Sequence, residues 1–128
     1  MSAYLLDTHA LIWFLQGDEH LSAKAQEIIS DETSTLYLSI VSLWEMAIKI
    51  SLGKLKLSQP LDQVISSLGR LNINSLPIKE NHVLGLLNMP FVHRDPFDRL
   101  LISQALEENL IFISNEAMFL DYGIKAVW

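Results

Sequence analysis

Two kinds of segment alternate along the chain. Short apolar runs rich in β-branched and aromatic residues are separated by longer segments whose apolar residues recur at helical spacing. The predicted strands are Ala3–Leu6, Thr35–Ser39, Ile73–Leu76, Leu110–Ser114 and Lys125–Val127. The predicted helices are Thr8–Gln16, Ser22–Ser30, Ser42–Leu52, Leu61–Leu71, Lys79–Leu87 and Pro96–Asn109. This alternation predicts one α/β domain over residues 1–128, with a mainly parallel sheet of four to five strands and helices on both faces. It does not determine the strand order.

The helix predicted at Ser42–Leu52 has a clear apolar stripe. The residues of the stripe are Leu43, Ala47 and Ile50. Trp13 and Trp44 also lie in apolar segments, so both are predicted to be core residues rather than surfaces for stacking bases.

Carboxylates stand just after several of the predicted strands. Asp7 directly follows the first strand, Glu45 lies in the helix after the second, and Glu116 follows the fourth; Asp95 and Asp98 open the last long helix. Ligands of such sheets bind beyond the carboxyl ends of the strands, where helices begin. Carboxylates gathered at one edge repel one another unless a cation lies among them. Oxygen ligands favour Mg²⁺ or Mn²⁺, so the pattern predicts a site for one of these ions.

Each acid also has a purely structural explanation at a helix N terminus. The structural roles are an N-cap for Asp7 or Asp95, a capping box with Ser42 for Glu45, and the first helical turn for Asp98 or Glu116. Their joint occurrence at one predicted edge favours the metal site over five separate structural roles.

The composition is compatible with this site. The net charge is −6, from 15 acidic and 9 basic residues. Without the five acids named above, 10 acidic residues face 9 basic ones, so bound cations would offset most of the excess. The chain has no cysteine, which excludes disulfides and thiolate-bound zinc. No signal peptide and no apolar stretch of roughly 20 residues is present, so we expect a cytoplasmic protein without a membrane partner.

Four segments resemble the PIN-domain ribonucleases of the VapC toxin family, which belong to type II toxin–antitoxin systems. The similar segments are Leu5–Trp13 (LLDTHALIW), Ser42–Lys49 (SLWEMAIK), His93–Ala105 (HRDPFDRLLISQA) and Ile113–Glu116 (ISNE), the last followed by Phe119, Tyr122 and Gly123. They occur in the family's order and at its spacing over essentially the whole chain. The resemblance implies a three-layer α/β/α fold, a homodimer and a cognate antitoxin.

The resemblance also assigns roles to single residues. It implies that Asp7, Glu45 and Asp98 are metal-binding catalytic acids. Glu116 stands where the family usually has aspartate, so its carboxylate would bind metal directly or through water. Asp95 is then an auxiliary acid. The hydroxyl groups of two further residues would lie beside the site; these residues are Thr8 and Ser114.

Basic residues near the acids have two interpretations each. Lys49 follows Glu45 by four residues, which favours a helical ion pair that holds Glu45, although Lys49 could instead face phosphate. Arg94 and Arg99 could bind RNA phosphates, and Arg99 could instead support its neighbour Asp98. Two histidines near the acids are expected to be structural rather than catalytic; they are His9 and His93.

The expected function is hydrolysis of RNA phosphodiesters by a metal-dependent endoribonuclease that acts as a toxin. Two other enzyme classes use similar sheets. A receiver domain has adjacent acids after its first strand, and a haloacid-dehalogenase-type phosphatase has Asp-x-Asp there, whereas this chain has Asp7-Thr8-His9. The remaining alternative is a catalytically inactive PIN-like binding or regulatory module, which the glutamate at position 116 favours.

Overall fold

Five parallel strands form the sheet at the centre of the fold. The computed structural model describes residues 2–91 and 95–128. The strands are β1 (Ala3–Leu6), β2 (Thr35–Ser39), β3 (Ile73–Leu76), β4 (Ile111–Ile113) and β5 (Ala126–Val127). The helices are α1 (Thr8–Gln16), α2 (Ala23–Ser30), α3 (Ile40–Ser51), α4 (Leu61–Arg70), α5 (Glu80–Gly85) and α6 (Pro96–Glu107). Two 3₁₀ helices lie at Leu86–Asn88 and Ala117–Tyr122.

The strand order β3-β2-β1-β4-β5 makes β1 the central strand. All four neighbouring pairs are parallel, with Leu5 of β1 opposite Tyr37 of β2 on one side and Phe112 of β4 on the other. The chain moves outward from β1 to β3 and then returns to the other side of β1 for β4 and β5. The direction therefore reverses between β1 and β4, and the crevice at their carboxyl ends is the place where ligands bind in open α/β sheets.

The sheet is covered on both faces, which confirms the predicted α/β/α layers. Neighbouring residues of one strand point to opposite faces, so Leu5 belongs to one core cluster and Leu6 to the other. The Leu6 cluster packs the sheet against α1, α2 and α4, and includes Met46 of α3. The Leu5 cluster packs it against α6 and the segment around Phe119.

A buried hydrogen-bond network holds the start of α3 against α6. The Ser39 hydroxyl caps α3 by accepting from Val41 N, and it donates to Gln104 Oε1 at 2.5 Å. Gln104 Nε2 donates to Pro77 O at 3.2 Å, on the loop after β3. The Ser39 and Gln104 side chains are both fully buried, so the position of α3 relative to α6 is set by polar contacts as well as by packing.

The same network reaches a buried histidine. His82 Nδ1 accepts from Lys79 N at 3.0 Å, so its proton is on Nε2, which donates to Glu108 Oε2 at 2.9 Å. This hydrogen bond keeps the pKa of the Glu108 carboxyl below its usual value. Ser103 Oγ donates to His82 O at 2.6 Å and ties α5 to α6.

Several predicted boundaries were shifted. Helix α3 begins at Ile40 rather than Ser42, because Ser39 caps it. The predicted helix Lys79–Leu87 consists of α5 and the 3₁₀ helix that follows it. The 3₁₀ helix Ala117–Tyr122 was not predicted as a separate element. Among the described residues, no helix is long and apolar enough to cross a membrane.

Candidate metal centre

Asp7 is the buried acid at the carboxyl end of the central strand. Its side chain is 4% exposed. It occupies the N-cap position of α1, but its carboxylate makes no capping hydrogen bond to the helix. Instead Asp7 Oδ2 accepts from Ser114 Oγ at 3.0 Å. Asp7 thus takes the N-cap position named as an alternative from the sequence, but its side chain bonds to the residue that follows β4.

Ser114 connects Asp7 to Glu116. Its hydroxyl donates to Asp7 and accepts from Glu116 N at 3.1 Å. Glu116 precedes the 3₁₀ helix Ala117–Tyr122, and its side chain does not cap that helix. Asp7, His9 and Glu116 each present one possible ligand atom, and these three atoms all lie within 4.8 Å of one another. The sequence prediction that His9 is structural missed this geometry.

The pKa of Asp7 is about 7, raised from 3.8. Burial is the largest cause, and the charge of Glu116 and then that of Asp98 add to it, while the Ser114 hydrogen bond acts in the opposite direction. Burial disfavours the charged carboxylate, and nearby negative charges disfavour it further. Without a bound cation, Asp7 is thus only partly ionised at neutral pH.

Glu45 is held by two neighbours in a buried setting. Thr8 Oγ1 lies 2.9 Å from Glu45 Oε1 and 2.9 Å from Ser42 Oγ. A hydroxyl has one proton, so Thr8 donates to the carboxylate and accepts from Ser42. Lys49 Nζ donates to Glu45 Oε2 at 2.6 Å. The ion pair predicted from the spacing of Glu45 and Lys49 is confirmed.

The capping-box explanation of Glu45 is wrong. Because α3 starts at Ile40, Ser42 and Glu45 lie inside the helix rather than at its N-cap. Both are buried, at 0% and 4% exposure, and both take part in the contacts with Thr8. Thr8 therefore joins the start of α1 to the buried face of α3.

Lys49 also interacts electrostatically with the acids at the N terminus of α6, Asp95 and Asp98. Its hydrogen bond with Glu45 is the main cause that raises the pKa of the Lys49 ammonium, and the charges of Glu45, Asp95 and Asp98 raise it further. Asp98 thus acts on Asp7 as well as on Lys49. The acids from β1, α3, α6 and the end of β4 therefore form one electrostatic cluster.

Asp95 has the structural role predicted as one of its alternatives. Its carboxylate caps α6, accepting from Phe97 N at 2.8 Å and Asp98 N at 3.3 Å, with Pro96 at the start of the helix. A capping carboxylate still has free lone pairs, so the cap does not exclude an auxiliary role. Asp98 lies in the first turn of α6, half-buried.

A divalent cation fits this donor set. Carboxylate oxygens from Asp7 and Glu116 converge with an imidazole nitrogen. The charged neighbours that act on the pKa of Asp7 are acids, Glu116 and Asp98, and both raise it. A bound cation would therefore stabilise the charged form of this buried carboxylate. Lys49 offsets part of the negative charge, but it is engaged by Glu45. Oxygen-rich sites of this kind suit Mg²⁺ and Mn²⁺.

The sequence also singled out two arginines, a second histidine and a tryptophan. The Arg99 guanidinium donates to Pro90 O at 3.1 Å and lies over the Phe91 ring, 4.4 Å from its centroid. Arg94 and His93 lie outside the described residues. Trp13 is partly buried against the core, as predicted.

The prediction that Trp44 is a core residue is wrong. Its side chain is 52% exposed and packs edge-on against Phe97, with ring centroids 5.0 Å apart. The next residue, Glu45, lies on the buried face of α3. Trp44 therefore faces outward, beside the N terminus of α6.

The comparisons with known proteins agree on the fold. A family model described as PIN domain matches residues 4–125. A chain in the crystal structure of VapBC2 from Rickettsia felis, bound to a DNA fragment from the promoter, is 16% identical with a TM-score of 0.71; the match covers 98% of this chain and 97% of that one. A chain of VapBC-1 from nontypeable Haemophilus influenzae is 19% identical with a TM-score of 0.63, covering 98% and 96%. A chain of FitAB bound to the IR36 DNA fragment is 17% identical with a TM-score of 0.68, covering 97% and 93%. Comparison with curated proteins gives no match.

Proposed function

We propose that this chain, which belongs to the PIN domain family, is a Mg²⁺- or Mn²⁺-dependent endoribonuclease that acts in the cytoplasm as the toxin of a toxin–antitoxin pair, with residues 1–128 as one nuclease domain. The observation that carries the proposal is Asp7. It is a buried carboxyl at the switch point of a parallel sheet, and its pKa is about 7 because it is buried and faces Glu116 and Asp98. Such strongly shifted groups in a crevice are typical of active sites.

The ion would be held by carboxylates from four parts of the chain. We assign the ligand set to Asp7, Glu45, Asp98 and Glu116, with Asp95 as an auxiliary acid. A divalent ion bound there supplies the positive charge that lowers the pKa of water and offsets charge on the scissile phosphate. Hydrolysis in this way needs no covalent enzyme intermediate, and the expected products carry a 3′-hydroxyl and a 5′-phosphate.

The protein's own task is to hold these acids in place. Ser114 fixes one oxygen of Asp7, and Thr8 and Lys49 fix one oxygen each of Glu45. Each of these hydrogen bonds occupies one lone pair of a carboxylate oxygen, and the remaining lone pairs can bind a cation. Neighbours that orient ligands in this way commonly change metal affinity by about 10–100-fold when they are removed.

RNA fits the surface around the cluster. Trp44 and Phe97 lie next to Glu45 and Asp98 in sequence, and the exposed Trp44 ring packs edge-on against the partly buried Phe97 ring. Unpaired bases stack on such side chains. The phosphates would be met by the bound cation and by Arg94 and Arg99, so the net negative charge of the protein does not exclude this substrate.

The similar structures and the exposed apolar surface support proposals for an antitoxin partner and for a second copy of this chain. The similar structures come from VapBC and FitAB complexes, so we propose a cognate antitoxin whose peptide covers the apolar groove between α3 and α4. Residues lining this groove include Ala47, Ile50, Leu55, Leu57 and Leu61. We also propose a homodimer, since α5 and the following turn expose Val83, Leu84 and Leu87 at 51%, 60% and 80%.

An inactive PIN-like binding module is the second candidate. Glu116 favours it, because its side chain is one methylene longer than the aspartate usual at this position and could displace the ion from its productive place. Cleavage of a fluorescently labelled single-stranded RNA separates the two candidates. We expect the purified wild type to cleave with Mn²⁺ and not with a chelator. Asp98→Asn should lower the rate at least about a hundredfold, because the ion contributes several kcal/mol and each 1.4 kcal/mol is tenfold.

The matched control is Asp121→Asn, which removes the same charge from an exposed acid and should cleave at the wild-type rate. Soluble, folded wild type that binds Mn²⁺ without cutting RNA would favour the inactive module. Equal cleavage by the wild type and Asp98→Asn would exclude the proposed ligand set.

A further inference from the structure

His9 places an imidazole among the acids at the carboxyl end of β1. It lies two residues after Asp7, in the first turn of α1, and its side chain is exposed. A ring nitrogen of His9 lies within 4.8 Å of carboxylate oxygens of both Asp7 and Glu116. Donor atoms of ligands on one metal ion, each about 2.0–2.2 Å from it, cannot be farther apart than about 4.4 Å, so a small side-chain adjustment brings all three onto a common ion.

The His9 ring contacts one aromatic side chain, that of Trp13. Trp13, one turn later in α1, lies 5.6 Å from His9 between ring centroids. Trp13 itself packs edge-on against Trp128 at 5.8 Å and stacks with His20 at 5.4 Å. Because Trp13 and Trp128 both pack against the core, the His9 ring has a fixed neighbour at the edge of the acid cluster even though it is exposed.

On the basis of the proposed metal centre, we propose that His9 is a nitrogen ligand of its ion, so that the centre selects first-row transition ions such as Mn²⁺ over Mg²⁺. Magnesium is held by oxygen ligands in near-ideal octahedral geometry, whereas imidazole is a common ligand of transition ions. Affinity for a nitrogen-containing site also rises from Mn²⁺ to Co²⁺. The contribution of His9 should therefore increase in the order Mg²⁺, Mn²⁺, Co²⁺.

The most direct test is pulsed electron paramagnetic resonance of the full chain loaded with Mn²⁺. Modulation of the spin echo by ¹⁴N reports a nitrogen bound to the ion. We expect this coupling in the wild type and its loss in His9→Ala. The control is His20→Ala, which removes the other imidazole stacked on Trp13 but lies outside the acid cluster, and which should keep the coupling.

Binding measurements give a second readout that is independent of cleavage. Titration with Mn²⁺ or Co²⁺, and competition of Mg²⁺ against Mn²⁺, yields the three dissociation constants. His9→Ala should weaken Mn²⁺ binding about tenfold or more and Co²⁺ binding further, with a change of less than about threefold for Mg²⁺. His20→Ala should leave all three constants unchanged. The melting temperature of each metal-free variant checks that the fold is intact.

The outcomes separate the role of His9 from the metal centre itself. Wild type that binds Mn²⁺ without ¹⁴N coupling, or His9→Ala that weakens Mg²⁺ and Mn²⁺ equally, would overturn the nitrogen ligand while leaving the carboxylate centre standing. Wild type that binds none of the three ions would overturn both.

Discussion

Replacing Asp7 with asparagine is expected to stabilise the metal-free protein by about 2–4 kcal/mol at pH 8 and to have little effect near pH 4. The folded-state pKa of Asp7 is about 7, above the value of 3.8 for a free side chain. The native state therefore binds the proton more tightly than the unfolded state does. Stability from this group is complete below about pH 4 and is lost as the pH rises to 7 and above. Asparagine is neutral at every pH and can still accept the Ser114 hydrogen bond, so it avoids this loss.

Denaturant unfolding of both proteins from pH 4 to 8, with a chelator present, measures the difference. Other titrating groups are shared and largely cancel. Asp31→Asn is a control of opposite sign, because hydrogen bonds from Thr33 lower the pKa of this exposed carboxyl. The charged Asp31 carboxylate stabilises the fold at pH values above its unfolded-state pKa. The Asp31→Asn variant should therefore not be more stable than the wild type at pH 8. If the difference in unfolding free energy between the wild type and Asp7→Asn were the same at every pH from 4 to 8, the raised pKa of Asp7 would be contradicted.

Induction of the wild type without a partner gene is expected to arrest growth of a bacterial host. A carboxylate site with a bound ion recognises phosphate and charge, which every RNA offers, so restraint must come from the antitoxin. The double variant Asp7→Ala, Asp98→Ala should permit normal growth at matched expression. The measurement is optical density and colony count after induction.

A charge-matched control removes two exposed acids instead. The variant Asp31→Ala, Asp121→Ala changes the net charge equally but leaves the cluster intact, and it should still arrest growth. Arrest by all three proteins would indicate misfolding or sequestration rather than catalysis. Normal growth with soluble, metal-loaded wild type would favour the inactive binding module.

The strands and most helices could be predicted because local patterns determine them. Strands β1 to β3 have the predicted ends, and α1 has its predicted bounds. The strand order could not be predicted, because pairing depends on which faces pack against which helices. The switch point between β1 and β4, which gives Asp7 its importance, became visible only with that order.

Helix α3 shows why a hydrophobic pattern is misleading near a site. The predicted stripe of Leu43, Ala47 and Ile50 is largely not the buried one: Leu43 is partly buried, whereas Ala47 and Ile50 are exposed. The buried positions are Val41, Ser42, Glu45 and Met46. Two of these four, Ser42 and Glu45, are polar. Their burial is possible because Thr8 and Lys49 make hydrogen bonds to Glu45, and Ser42 makes one with Thr8. A rule that places apolar residues inside cannot anticipate polar ones that are buried for a site, and it misplaced Trp44 for the same reason.

The acids were recognisable from their positions after strands, but their individual contacts were not. Asp95 caps α6 with its side chain, whereas Asp7 stands at the N-cap position of α1 and accepts from Ser114 instead. Glu116 was brought to Asp7 by the Ser114 hydrogen bond, which spans residues 107 positions apart. His9 was predicted to be structural because the sequence shows only that it is near Asp7. It does not show that Glu116, far away in the chain, lies close to both residues.

Titration with Mn²⁺ at pH 8, where Asp7 is ionised, tests most directly whether these acids form one metal centre. We expect calorimetry to show binding to the wild type, with Kd raised at least about tenfold in both Asp7→Asn and Asp98→Asn and unchanged in the exposed control Asp31→Asn. Equal affinity in all four proteins, or no binding to folded wild type, would contradict a shared site built from β1, α6 and the end of β4.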